Sequence, residues 1–178
     1  DENLISITEM DPDTLEPSGE PEPAVEKDVW LFDFTSYTGT NNDPNAFITL
    51  GVDKDSEYTL SFEYSVVGSG IPSLINAAKE WQGASKVAFS NNKLTGKGTY
   101  SYTFTADHTQ LIPVFQLHVP YGVSKLYMWD LKLVKTGSEE NLLAGKTAEN
   151  FSGELKNANL ISITKMDPAT LETSGEGN

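Results

Sequence analysis

Apolar and polar side chains alternate along much of this 178-residue chain. The clearest case is the run EYTLSFEYSVV, Glu57–Val67, in which every second residue from Tyr58 to Tyr64 is apolar or aromatic and those between are polar. A period of two is typical of a strand with one buried face. The face of Tyr58 and Tyr64 is therefore predicted to lie in the core, and Glu63 lies on the opposite face.

Seven runs of this kind predict an all-β fold. Gly, Asn, Asp and Pro separate the runs, a spacing that favours a jelly-roll β-sandwich of two antiparallel sheets. Trp30 and Trp129 alternate with core-type residues and are predicted to be buried. The segment Ile71–Gly83 departs from the pattern, and we interpret it as one short helix with Ser73 as N-cap. The runs are Val29–Phe34, Ala46–Val52, Glu57–Val67, Lys86–Ser90, Thr99–Ala106, Gln110–Val119 and Lys125–Val134.

The run Gln110–Val119 carries two polar side chains, Gln116 and His118, on its second face. Amide and imidazole groups both donate and accept hydrogen bonds, so a ligand is expected on this face. The alternative is an ordinary solvated sheet face.

One phrase occurs near both ends of the chain. NLISITEMDPDTLEPSGE, residues 3–20, returns as NLISITKMDPATLETSGE, residues 159–176, with three differences in eighteen positions and an offset of 156 residues. The offset is the size of one domain, which indicates a tandem array. Alternation predicts that each copy is a strand, and the copy at Leu160–Thr164 either pairs with this sandwich or with the next one.

The organisation that follows has three parts. Residues 1–28 form a leading strand and an acidic, Pro-rich linker. Residues 29–135 form the sandwich, and residues 136–178 form a tail that contains the start of a second repeat unit.

Composition excludes several classes of function. Twelve basic residues, all Lys, stand against 26 acidic ones, giving a net charge of −14, so nucleic acid is not expected as a partner. Cysteine is absent, which excludes disulfides and a thiolate nucleophile. No apolar run is long enough to span a membrane.

Catalysis is not expected either. The two histidines lack a surrounding nucleophile motif, and the carboxylates are not paired in any specific way. ITEMD resembles the strand that carries the nucleophile of family 10 xylanases, which would make Glu9 that residue. However, the second copy has Lys165 in its place, and the (β/α)₈ barrel of that family needs roughly 250 residues.

Aromatic residues in turns and polar stretches point to sugar binding. Sugars present flat apolar faces edged by hydroxyls, so their sites combine exposed rings with hydrogen-bonding side chains. Trp81 in AAKEWQG, Tyr121 in VPYGV and Tyr37 in SYTGTNN are the candidate platforms. For each of them a packing role is the alternative.

The succession EYTLSFEYSV, GTYSYTFTA, LIPVFQLHVP and KLYMWDLKLV resembles the carbohydrate-binding modules of families 4 and 22. The resemblance covers residues 29–135 and implies a groove on the concave sheet, with Glu63, Gln116 and His118 facing the ligand. Some of these modules hold a structural calcium ion between the opening and closing strands. Here Asp33 and Asp130 would supply the oxygen ligands, and no other cofactor is expected.

The resemblance also implies a function. The chain looks like a non-catalytic module of the kind inserted in tandem in family 10 xylanases of gut Bacteroides and Prevotella, secreted or at the cell surface. Its ligand would be xylan or a xylo-oligosaccharide, and its covalent partners a catalytic domain and a second binding module. The rival is a structural or adhesive cell-surface repeat, which predicts that Trp81 and Tyr121 are buried.

Overall fold

The computed structural model describes residues 25–77 and 86–173, and these residues form an antiparallel β-sandwich, as predicted. Among them no helix is long or apolar enough to cross a bilayer. Strands are connected by loops and by 3₁₀ turns at Val119–Tyr121 and Ala148–Asn150. The strands and the single α-helix of this part of the chain are β1 (Lys27–Asp33), β2 (Asn45–Phe47), β3 (Leu50–Gly51), β4 (Glu57–Gly68), β5 (Ser73–Ala77), β6 (Lys86–Lys93), β7 (Lys97–Thr105), β8 (Gln110–Leu111), β9 (Pro113–Gln116), β10 (Ser124–Lys135), α1 (Glu154–Asn157), β11 (Ile161–Asp167) and β12 (Glu172–Thr173).

Two sheets make the sandwich. The larger has six strands in the order β12-β11-β1-β10-β4-β7, and the smaller has four in the order β2-β9-β5-β6. The short strands β3 and β8 form a separate two-stranded sheet. Neighbouring strands are antiparallel throughout.

Aromatic rings from both sheets fill the space between them. Phe32 of β1 stacks on Phe115 of β9 with ring centroids 5.1 Å apart, and Phe62 of β4 contacts Phe115 edge to face. Because these strands belong to different sheets, the contacts define the core. Tyr58, Leu60 and Phe62 are nearly or fully buried, so the face predicted from their alternation is confirmed.

A second apolar cluster covers the outer face of the six-stranded sheet. Trp129 is buried there with Val29 and Met166, and its indole N–H donates a 2.8 Å hydrogen bond to Glu63 Oε2. Trp30 is buried on the other face, edge to face with Phe151. The predicted burial of both tryptophans is confirmed, although each lies in a different cluster.

The predicted helix over Ile71–Gly83 is wrong where the structure describes it. Ser73–Ala77 is β5, whose backbone pairs with β9 on one side and with β6 on the other. Leu74 points into the core. Pairing on both sides and burial of one face outweigh a local helix preference, which is a weak prior. The remainder of the predicted helix, with Trp81, lies outside the described residues.

The predicted end of the sandwich at residue 135 is also wrong. β11 pairs with β1 from Phe32↔Ile161 to Lys27↔Met166, so the second copy of the repeated phrase belongs to this sandwich. Phe151, Leu155 and Ile161 lie in the main core. The sequence after β10 therefore completes the domain and is not a tail. The first copy lies outside the described residues.

Candidate functional site

The outer face of the four-stranded sheet carries a polar row beside an apolar one. Gln116 of β9 has Asn45 and Ser73 as its cross-strand partners. Two residues away, Val114 aligns with Phe47 and Ile75, which pack together as a separate small cluster. Phe115 and Leu117, which alternate with these positions, face the core. Gln116 therefore faces outward, as its place in the sequence predicts.

At the end of β9 the chain turns through Val119–Tyr121 and projects one aromatic ring. Tyr121 is 84% exposed, and its backbone N–H donates to the carbonyl of His118. The next residue, Gly122, has a φ of +127°, and a Cβ there would lie 2.6 Å from Ser69 Oγ. Only glycine fits this position, and the sharp turn leaves the Tyr121 ring in solvent.

His118 is held between two neighbours. Its Nδ1 lies 2.6 Å from Asp43 Oδ1, and its ring centroid lies 4.6 Å from that of Tyr121. The backbone N–H of Val119 donates to the carbonyl of Asn42 at 3.0 Å, which ties the loop before β2 to the turn after β9. Asp43, Gln116, His118 and Tyr121 thus form one cluster, which we call the corner site.

The corner site offers the groups that a sugar requires. Tyr121 supplies an open ring face for stacking on the C–H groups of a pyranose. Asp43 fixes the imidazole of His118 through Nδ1, which leaves Nε2 as the second hydrogen-bonding atom of that ring. The amide of Gln116 donates to the backbone carbonyl of Asp43 at 3.4 Å, a long bond that a ligand hydroxyl can replace.

Three of the six residues predicted to bind ligand meet at this site: Gln116, His118 and Tyr121. Tyr37 lies in the loop between β1 and β2, half-buried, with its ring against Gly39. Trp81 lies outside the described residues. Asp43 was not predicted, because its contact with His118 joins positions 75 residues apart and no local spacing signals it.

Glu63 does not join the corner site, contrary to the prediction. It lies on the outer face of the six-stranded sheet, on the opposite side of the sandwich from Gln116, and bonds to Trp129. Alternation correctly predicted that Glu63 points away from the core, but it does not reveal to which sheet a strand belongs.

The calcium site predicted from Asp33 and Asp130 is not formed as a shared site. Asp33 ends β1, while Asp130 pairs with Lys27 at the start of β1. Seven residues of strand separate such ends by about 20 Å, whereas one calcium ion binds oxygens at about 2.4 Å. The described residues contain no group of three or more His, Asp or Glu side chains that could hold a metal ion.

Asp33 instead caps the turn that follows β1. Its carboxylate accepts hydrogen bonds from the backbone N–H of Thr35 at 2.9 Å and from the Ser36 hydroxyl at 2.7 Å, and Lys125 Nζ lies 3.9 Å away. Burial alone would raise the pKa of Asp33, but these hydrogen bonds and the Lys125 charge hold it below its usual value.

A separate open cavity of about 400 Å³ lies between the β3-β8 pair and β10. Asp53, Tyr58 and Lys135 line it, and Lys135 Nζ lies 2.9 Å from Asp53 Oδ2. This cavity offers a charged pair and no projecting ring.

Comparison with known proteins supports the fold. No family model and no curated protein matches the chain. A solved structure described as "PbXyn10C CBM APO", a carbohydrate-binding module, is similar at 15% identity with a TM-score of 0.53, covering 84% of this chain and 94% of that one. Another, described as "CBM4 structure and function", covers 51% and 60% at 17% identity with a TM-score of 0.35.

The first of these structures shows that the chain has the sandwich fold of a carbohydrate-binding module, which confirms the resemblance at the level of the fold. The matched share of the chain is too large for a domain confined to residues 29–135. It agrees with a sandwich that continues to β12.

Proposed function

We propose that this chain is a non-catalytic carbohydrate-binding module that holds a β-linked plant cell-wall polysaccharide, preferably xylan, at the corner site. The observation that carries the proposal is the Tyr121 ring, 84% exposed and in contact with His118. An aromatic ring left in solvent beside fixed hydrogen-bonding groups is the combination that a sugar site requires. The shared fold with a carbohydrate-binding module supports the same conclusion.

Charge favours a neutral polysaccharide. The chain has a net charge of −14, which repels pectin and other acidic glycans. Xylan presents hydroxyls and apolar sugar faces without a dense negative charge. Two observations support xylan over neutral glucans. One is the resemblance of the sequence to families 4 and 22, and the other is the printed name of the similar structure, which denotes a module of a family 10 xylanase.

In this proposal the module is secreted or displayed at a bacterial cell surface and directs an attached endo-xylanase to its substrate. Two linked modules bind a polymer more tightly than one, because the second binding event takes place at a high effective concentration. The repeated phrase supports such an array.

The rival function, a structural or adhesive spacer, predicts a buried Tyr121. The exposure of that ring opposes it.

Affinity electrophoresis tests the proposal. Native gels with soluble xylan, with β-glucan or with no polysaccharide are compared, and we expect retardation in xylan. Tyr121→Ala should weaken binding by on the order of 1–3 kcal/mol through the lost stacking, while Tyr121→Phe keeps the ring and the retardation. Unretarded migration in both polysaccharide gels would overturn the proposal.

The two histidines provide a matched control. His118→Ala removes a corner-site side chain, whereas His108→Ala removes the imidazole that lies beside Asp107, outside the site. Only His118→Ala is expected to reduce retardation. An equal loss from both variants would assign the effect to general destabilisation.

A further inference from the structure

The edge of β1 accepts a strand through a continuous antiparallel register. Six residue pairs join β1 to β11, and the N–H of Asp33 extends the ladder to the carbonyl of Leu160 at 3.0 Å. Backbone groups at a sheet edge pair with any strand of suitable alternation. The side chains must therefore decide which strand is accepted.

The chain contains two segments of nearly the same sequence, of which the second is β11. From Leu4 to Asp11 and from Leu160 to Asp167 the only difference is Glu9 in place of Lys165. The apolar residues that β11 buries, Ile161 and Met166, have identical counterparts in the first copy. Hydrophobic burial therefore does not distinguish the two copies.

The position that differs is the one opposite an acidic residue of β1. Lys165 is the cross-strand partner of Asp28, and its Nζ lies 2.9 Å from Asp28 Oδ1. In the same register Glu9 would set a carboxylate against Asp28. Opposite charges across a strand pair stabilise it, and like charges directly opposed destabilise it.

A second sequence difference between the copies also favours the copy that contains Lys165. Thr173 of β12 lies opposite Met166, and the first copy has Pro17 at this place. Proline has no N–H to donate to a ladder.

Chain connectivity alone would favour pairing of the first copy with β1. Residues 12–26 connect the first copy to β1, whereas residues 34–160 separate β1 from β11. Closing the shorter loop costs less entropy, and the shorter loop also forms earlier. Without a discriminating side chain, the nearer copy would compete for the edge.

We propose that Asp28 makes the β1 edge a charge-selective acceptor, which takes the copy with Lys165 and rejects the copy with Glu9. The partner that fits Glu9 is then the equivalent edge of another module of the same fold, one with a basic or neutral residue at the place of Asp28. The repeated phrase is thus the closing strand of each module, and its charge assigns it to its own module in an array.

Disulfide trapping in the cysteine-free full chain tests this selection. Ser162 lies opposite Leu31, and Ser6 is its counterpart in the first copy. Opposed Cα atoms in antiparallel strands are about 4.5–5.5 Å apart, which a disulfide spans. In the variant Leu31→Cys/Ser6→Cys/Ser162→Cys the two copies compete for one thiol, and mass spectrometry of the digested protein gives the ratio of the two disulfides.

We expect the disulfide between positions 31 and 162 to dominate. Adding Asp28→Lys breaks the ion pair with Lys165 and allows an attractive pair with Glu9, so the ratio should shift toward the disulfide between positions 31 and 6. Because surface ion pairs are weak, we expect a shift of about threefold to tenfold. Adding Lys165→Glu to that variant gives both copies a carboxylate opposite the new lysine, so the ratio should return part of the way toward its original value. Asp53→Lys is the matched control, because it makes the same charge change and breaks a surface ion pair away from β1.

Glu9→Lys gives a second measurement that leaves β1, β11 and Asp28 unchanged, and it should raise the fraction joined between positions 31 and 6. A ratio that responds to neither Glu9→Lys nor Asp28→Lys beyond the Asp53→Lys control would overturn the proposal. So would a preference for position 6 in the unmodified charge background.

Discussion

At the scale of single residues, Glu63 stabilises the fold through Trp129. The indole N–H donates to Oε2 of Glu63 at 2.8 Å, and Trp129 is only 1% exposed. A buried donor that loses its acceptor costs about 1–3 kcal/mol. We therefore expect Glu63→Ala to lower the free energy of unfolding by about that amount, measured by urea denaturation, while retardation in xylan gels is unchanged. If Glu63→Ala keeps the stability of the parent but no longer binds xylan, Glu63 contacts the ligand after all.

Asp33 makes stability depend on pH in the acidic range. Its pKa is lower in the folded chain than in the unfolded chain, so it stabilises the fold at pH values above about 4. That contribution is lost as the pH falls through the folded-state pKa. Asp33→Asn should therefore be less stable than the parent at neutral pH, and the gap should narrow below pH about 4.

Thermal unfolding at a series of pH values checks this expectation. Asp53→Asn, which alters an exposed carboxylate that pairs with Lys135, serves as the control. A stability gap for Asp33→Asn that is constant from neutral to acidic pH would contradict the assignment.

Residues close together in the sequence could be predicted to form the site, and distant ones could not. Gln116, His118 and Tyr121 lie within six positions, so alternation and a turn suffice to place them together. Asp43 reaches His118 only because β2 pairs with β9, which no local pattern reveals. The family resemblance implies one calcium site for Asp33 and Asp130, but the antiparallel register puts them at opposite ends of β1.

At the scale of elements, dependence on residues distant in the sequence also explains the wrong helix prediction at β5. The residues around Leu74 carry no feature that excludes a helix, and strand structure results from pairing with β9 and β6. The long run Glu57–Val67, in contrast, alternates over its whole length and was predicted within one residue of β4. A long and regular alternation predicts a strand reliably, whereas the secondary structure of a short segment depends on the strands that pair with it.

β11 is an integral strand, which yields a prediction on truncation. A chain that ends at residue 135 loses Phe151, Leu155 and Ile161 from the core, and replacing even one large core side chain by alanine costs about 2–5 kcal/mol. Domains are stable by about 5–15 kcal/mol, so the truncated chain should not fold.

Circular dichroism during heating distinguishes the complete sandwich from the truncated chain. Residues 25–173 should unfold in one cooperative transition, and residues 25–135 should show none. A cooperative transition at a similar temperature for the shorter chain would contradict the role of β11.

At the scale of the whole molecule, the charge of −14 sets which polymers approach. Binding of a neutral polysaccharide through stacking and hydrogen bonds should depend little on ionic strength. Isothermal titration with xylan at about 0.01 M and about 1 M salt, where screening lengths differ tenfold, should give affinities within a factor of about three. An affinity that falls steeply with salt would indicate a charged ligand instead.

The account depends most on the corner site as the sugar-binding surface, and NMR titration with xylohexaose tests it directly. The chain has two histidines and three tryptophans, so the imidazole and indole signals can be assigned individually. We predict that the imidazole of His118 and the backbone amides of Gln116 and Tyr121 shift on titration, while the imidazole of His108 and the indole of Trp129 do not. Shifts confined to the cavity of Asp53 and Tyr58, or to the face of Glu63, would contradict the proposed site.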